Sequence, residues 1–207
     1  MALIGQNAEQ LFPTADVGVN NFITSTGSDY FDLVDDWEAA TYIYRINGIG
    51  RTFDFTFSDI PEASEDNIVI DSVQFGVYAR STSTTGDKRD SVTLTMTMQT
   101  GNGLVDYFDD NLTWEVGLGP QTLYGTERTT TDGSTAWTFS TINDLRLHGE
   151  WTANVGGGDE SIFVYTVFFR IRYTYTSVLT TYTSDDNIII KEGLVELKNG
   201  MIEIKGP

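Results

Sequence analysis

Apolar and polar residues alternate along most of the chain. Phe53, Phe55 and Phe57 are separated by Asp54 and Thr56; Val73, Phe75, Val77 and Ala79 repeat the spacing; and Val92, Leu94, Met96 and Met98 alternate with Ser91, Thr93, Thr95 and Thr97. A period of two puts every second side chain on one face, so each stretch predicts a half-buried strand. Further strands are predicted from Thr122 to Arg128, Thr135 to Ser140, Leu145 to Trp151 and Ser161 to Thr176. In the last of these, Phe163, Tyr165, Val167, Phe169, Ile171 and Tyr173 fall on one face, while Ile162, Val164 and Phe168 make the start of the other face apolar too. That pattern predicts a central strand covered on both sides over its first half. Turn-forming stretches separate the strands: the polar run 81–90 with Gly86, Gly101-Asn102-Gly103, Thr131-Asp132-Gly133 and Gly156-Gly157-Gly158-Asp159. Helical signals are limited to single turns at residues 140–144 and at Asp35 to Ala40. About eight strands at such spacing predict an all-β fold, an antiparallel β-sandwich with jelly-roll architecture.

The two ends break this pattern. Residues 1–21 mix Asn, Gln and Gly with isolated apolar residues, and Pro13 interrupts any regular element. They read as an extended N-terminal arm, either lying on a neighbour or loose, ahead of a sandwich over 22–176. Residues 177–207 form a tail containing three copies of a seven-residue unit: Ile188-Ile189-Ile190-Lys191, Val195-Glu196-Leu197-Lys198 and Ile202-Glu203-Ile204-Lys205, separated by Gly193 and Gly200. The first and third residues of each unit are apolar, the pattern of a thin strand with one buried face. The glycines and β-branched residues disfavour a helix. One such strand cannot bury its face alone, so the repeat predicts a multimer, expected to be a trimer. Its contacts would be Ile188, Ile190, Val195, Leu197, Ile202 and Ile204.

Composition narrows the chemistry. The 207 residues suit one domain with appendages, and the absence of cysteine excludes disulfides and thiolate sites. A single histidine, His148, excludes multi-histidine zinc centres and reads as a structural or surface residue. The start of the chain carries no secretory signal pattern and no apolar run is long enough to span a bilayer, which leads us to expect a soluble protein made in a cytoplasm, without membrane partners. The formal charge is -18. Three lysines against five acids in 177–207 leave nearly all of it on the body, which would repel phosphate backbones and argues against nucleic acid as a partner. The lysines Lys191, Lys198 and Lys205 form a row that can pair with acidic neighbouring subunits.

Three acidic groups are candidate sites: Asp35-Asp36 with Glu38; Glu62, Glu65 and Asp66; and Asp106 with Asp109 and Asp110. Paired carboxylates serve glycoside hydrolysis, and clustered ones bind calcium through six to eight oxygens. None follows a spaced calcium-loop pattern, so no cofactor is expected; Asp106, Asp109 and Asp110 are the best metal candidates, for a structural calcium. Trp37, Trp114, Trp137 and Trp151 with ten tyrosines can fill a core or present a sugar platform. Trp37 and Trp114 are the candidate glycan contacts.

Within residues 13–176 the order of landmarks resembles a family of phage virion proteins with a jelly-roll, carbohydrate-module-like fold. The landmarks are Pro13-Thr14-Ala15-Asp16-Val17, Asp35-Asp36-Trp37-Glu38 leading into Tyr42-Ile43, Phe53-Asp54-Phe55, the stretch from Ile68 to Tyr78-Ala79-Arg80, Ile142-Asn143-Asp144-Leu145-Arg146-Leu147, and the aromatic closing strand Val164 to Tyr175. Where the family has a Trp after the first acidic motif, this chain has Asn21-Phe22. The resemblance implies a virion component, and because no landmark is a catalytic signature we expect it to be non-enzymatic. Together with the chain's small size, it leads us to expect a capsid decoration or cement protein on the outer capsid surface, partnered by the major capsid protein. The alternative is a glycan- or receptor-binding head or tail fibre protein.

Overall fold

The alternating stretches become strands of two antiparallel sheets whose apolar faces meet. The computed structural model describes residues 2–17, 20–26, 29–34, 41–46, 48–60, 68–84, 90–100, 106–156, 159–178, 187–189, 195–198 and 201–204. The strands are β1 (Ala2–Leu11), β2 (Pro13–Asp16), β3 (Ile23–Thr24), β4 (Ile43–Ile46), β5 (Thr52–Phe57), β6 (Ile68–Thr82), β7 (Ser91–Thr100), β8 (Asp106–Glu115), β9 (Gln121–Tyr124), β10 (Leu145–Val155) and β11 (Ser161–Val178). The first sheet runs β3-β4-β11-β6-β9, with β1 also on β11; the second runs β2-β5-β10-β7-β8. The fold is an antiparallel β-sandwich. Its core takes the inward row of each strand. Phe53 and Phe55 of β5, Val73, Phe75, Val77 and Ala79 of β6, and Val92, Leu94, Met96 and Met98 of β7 are all fully buried. Phe57 meets Phe169 of the opposite sheet with ring centroids 4.5 Å apart.

Several sequence expectations change. Residues 2–16, read as an arm, are strands of both sheets: β1 pairs with β11 from Ala2↔Val178 to Leu11↔Phe169, and β2 pairs with β5. The mixed composition hid this because β1 runs along a sheet edge, where few inward apolar positions are needed. The strand expected from Thr122 ends at Tyr124, although Arg128 still bridges to Val73. No strand forms from Thr135 to Ser140. Trp137 is buried from a loop, its Nε1 donating to the Arg128 carbonyl at 3.0 Å, and a single helical turn, α1 (Phe139–Asn143), follows. Thr138 caps that turn: its Oγ1 accepts from the Thr141 amide while Thr141 Oγ1 accepts from the Thr138 amide. This reciprocal pair satisfies two amides the helix cannot.

β11 is central, as predicted, but its two faces exchange along its length. The register against β6 shifts between Val164 and Thr166, so Tyr165 is an extra residue. Before this bulge Ile162 and Val164 face the core; after it Val167, Phe169 and Ile171 do. A bulge reverses the parity of inward positions, so the continuous face expected from Phe163 to Tyr173 is divided. On the other edge of β11, between the segments paired to β4 and β1, the Val167 amide donates to the Val34 carbonyl at 3.0 Å, which places the 3-10 turn Phe31–Leu33 in the gap.

The tail repeats form β12 (Asn187–Ile189), β13 (Val195–Lys198) and β14 (Met201–Ile204), a three-stranded antiparallel sheet within one chain. Lys198 pairs with Met201 at one end of the β13–β14 ladder and Val195 with Ile204 at the other. The seven-residue period sets the register. Ile188, Leu197 and Ile202 share one cross-strand row, and Val195 opposite Ile204 shares the next row on that side. Ile190 lies outside the described residues, as do the helical turn expected at Asp35 to Ala40 and the acidic groups at 35–38 and 62–66.

Candidate functional site

The outward face of the first sheet is aromatic, and strand alternation puts it there. Ile43 points into the core, so Tyr42 and Tyr44 on either side of it point outward; Val77 and Ala79 point inward, so Tyr78 and Arg80 point outward. On β11 the bulge turns Tyr165 outward behind Phe163. One cross-strand row therefore reads Tyr44, Phe163, Arg80. Tyr44 stacks on Phe163 with centroids 5.7 Å apart and planes 11° from parallel, and the Arg80 guanidinium lies 4.9 Å from the Phe163 centroid. Tyr42 stands edge-on to Tyr44, Phe163 and Tyr165 at 5.9, 5.4 and 5.7 Å, and Tyr78 meets Tyr165 at 5.5 Å. Edge and offset contacts of this kind hold rings in fixed orientations. Tyr165 is buried, and that burial pushes its phenol above the usual range. Tyr42, Tyr44, Tyr78 and Phe163 are partly open to solvent.

The stripe continues past the bulge. Phe168 pairs with Gly76 and lies across it; a Cβ on Gly76 would come within 2.3 Å of the ring. Tyr124, 44 % exposed, meets Phe168 edge-on at 6.0 Å, and Phe12 meets it from another side at 6.3 Å. The Arg170 guanidinium sits 5.1 Å from the Tyr124 centroid and donates to Gln74. The result is a run of rings with phenol hydroxyls, bracketed by two arginines. That combination is amphipathic: ring faces take apolar surface, while hydroxyls and guanidinium groups serve polar substituents around it.

The outward face of the second sheet has a different chemistry. Asp54 points away from the core yet is buried, and its Oδ1 accepts from Arg146 Nη2 at 2.7 Å, Arg146 Nε at 3.1 Å and His148 Nδ1 at 2.9 Å. Asn20 Oδ1 accepts the Asp54 amide at 2.7 Å. The hydrogen bond to Asp54 raises the His148 pKa above the ordinary 6.5, against the opposing effect of burial. Among the described residues no hydroxyl is bonded to His148, so the trio fastens β5 to β10. Beyond it, Thr93 bonds to Thr113, and Thr95 to Asn111 and Thr152, in cross-strand rows.

The sequence-based candidates fare unevenly. Asp106, Asp109 and Asp110 lie on strand β8, where consecutive residues point to opposite faces. Asp110 accepts from the Thr126 amide and hydroxyl and from Arg128, and Asp109 sits opposite Thr97 on the outward face. Asp109 and Asp110 are thus not brought together as a cation site, because the acidic run is a strand and not a loop. Among the described residues no group of three or more His, Asp or Glu side chains could hold a metal ion. Trp114 is a core residue, 1 % exposed, with Nε1 donating to the Gln121 carbonyl at 3.3 Å, so it offers no glycan contact. Trp151 is fully buried. Trp37 lies outside the described residues. The aromatic stripe escaped sequence reasoning because its members come from five separate segments; the alternation of Tyr42 and Tyr44 around Ile43 was the available signal.

No family model and no curated protein matches the chain. Among solved structures it is similar to the enzymatically active domain of tailspike protein 4 of bacteriophage CBA120, with 11 % identity and a TM-score of 0.35 over 79 % of this chain and 19 % of that one. The chain thus spans about a fifth of that tailspike chain, and a likeness this loose carries no argument about function.

Proposed function

We propose that this chain is a non-enzymatic structural protein of a phage virion whose sandwich binds carbohydrate on the aromatic face of the first sheet. One observation carries the reading: Phe163 is held between the Tyr44 ring and the Arg80 guanidinium, in line with Tyr42, Tyr165 and Tyr78. A pyranose presents axial C–H groups on one face and hydroxyls at its rim. Fixed rings with polar edges suit such a ligand, and rings already locked by packing lose little entropy on binding. The scaffold fits as well. Strands β4 to β11 interleave as β4-β11-β6-β9 against β5-β10-β7-β8, an order that supports the jelly-roll reading of the sandwich, and sandwiches of this kind host many grafted sites.

The virion assignment rests on the sequence landmarks from Pro13 to Tyr175. In this reading the tail sheet, with its apolar positions in shared rows, joins chains into a homo-oligomer, and several weak sugar contacts then add through multivalency. The fibre role is thereby preferred over capsid decoration. Screening the purified full chain on a glycan array tests the choice. Binding is expected, with an affinity loss of about tenfold or more in Tyr44→Ala, a variant that should remain folded with only a modest drop in melting temperature from the lost ring contacts. Silence on the array combined with tight binding to capsids lacking this chain would select decoration instead.

A further inference from the structure

We infer that the saccharide recognised by the aromatic face is anionic, bearing a carboxylate, as in a uronic or sialic acid. This rests on the carbohydrate reading and sharpens it. The chain carries 12 Lys and Arg against 30 acids, so cations exposed on its surface are scarce and their placement is informative. Three of the described arginines are neutralised by carboxylates within the protein. Arg128 pairs with Asp110 at 3.2 Å, Arg146 with Asp54 at 2.7 Å and Arg172 with Glu127 at 3.4 Å. The two that bracket the aromatic stripe are arranged otherwise. Arg80 lies over Phe163 and also 5.9 Å from Tyr165, and Arg170 lies over Tyr124. Among the described residues neither has a carboxylate partner, and the buried Nε of Arg80 has no hydrogen-bond acceptor there.

A guanidinium over a ring keeps its charge, and although Arg80 also hydrogen-bonds Tyr165 and Arg170 donates to Gln74, each has five N–H donors to share with a ligand. The guanidinium fork matches the two oxygens of a carboxylate. A neutral sugar on these rings would leave both charges unanswered; a carboxylated one would stack and ion-pair together. The overall charge of -18 adds selectivity, since an anionic glycan is repelled from the rest of the surface and is held only where the arginines lie.

Isothermal titration of the full-length chain with matched pairs tests the inference: trigalacturonate against its methyl ester, and sialyllactose against lactose. The acid of at least one pair is expected to bind about tenfold or more tighter than its neutral partner. That preference should shrink as salt shortens the Debye length to about 10 Å near 0.1 M. Arg80→Gln with Arg170→Gln should erase the preference, and Arg80→Lys, which keeps the charge, should retain part of it. Equal affinity for acid and neutral partners, or a preference unchanged in the double Gln variant, would overturn the anionic inference while leaving carbohydrate binding intact. No binding of any glycan would overturn both.

Discussion

His148 is the residue whose environment most departs from its sequence reading. It looked like an incidental strand histidine, yet it shares Asp54 Oδ1 with Arg146, and that bond raises its pKa. Raised folded-state affinity for the proton means the protonated imidazole stabilises the fold. The contribution is complete below the unfolded value near 6.5 and is lost as pH rises through the raised folded value. Urea midpoints measured from about pH 5 to about pH 9 should therefore fall across that window, and His148→Gln should flatten the fall. An unchanged slope in the variant would remove His148 as the cause. Gly76 is the second telling residue. Phe168 lies across it as Phe53 lies across Gly149 and Phe75 across Gly125, each ring covering a glycine on the adjacent chain segment. Gly76→Ala should cost about 1–3 kcal/mol by overpacking and tilt Phe168 out of the stripe, measured by thermal unfolding and by ring-proton shifts. The buried tryptophans were legible only as a class: composition offered core or platform, and three-dimensional placement of Trp114, Trp137 and Trp151 chose core.

At the scale of elements, strands with a clean period of two were readable because one face of each meets the opposite sheet. The inward rows of β5, β6 and β7 coincide with the alternating residues of the sequence. What could not be read were features that depend on a partner strand. The bulge at Tyr165 reverses β11 because of its register against β6, and nothing in residues 161–178 alone marks the extra residue. β1 was missed for a related reason: its ten pairs with β11 are backbone contacts, which composition does not report. Deleting residues 1–11 should therefore expose a β11 edge, lower the melting temperature and promote aggregation, whereas removal of a detached arm would leave both unaltered. The tail makes a separate prediction. Leu197 and Ile204 occupy neighbouring rows of the tail sheet, and if that side joins chains, replacing both with Asp should give monomers by light scattering. Retention of the wild-type mass would place the oligomer contact elsewhere.

For the whole molecule, charge and surface chemistry divide the sandwich into two unlike faces. The second sheet presents threonines, Asn111, Asp109 and the Asp54 clamp, much of it hydrogen-bonded across strands. The first presents rings and arginines gathered from Phe12, Tyr42, Tyr44, Tyr78, Arg80, Tyr124, Phe163 and Arg170, packed over the buried rings of Tyr165 and Phe168. Aromatic content was plain in the sequence and its concentration on one face was not, since that depends on which strands become neighbours. A glycan selected on the array should seek the first face. The most direct measurement is the set of aromatic proton shifts of the tyrosines during titration with that glycan. The signals of Tyr42, Tyr44, Tyr78 and Tyr124 are expected to move together with saturation. Shifts confined to threonine methyls of the second sheet, with those tyrosine signals unmoved, would contradict carbohydrate binding on the aromatic face.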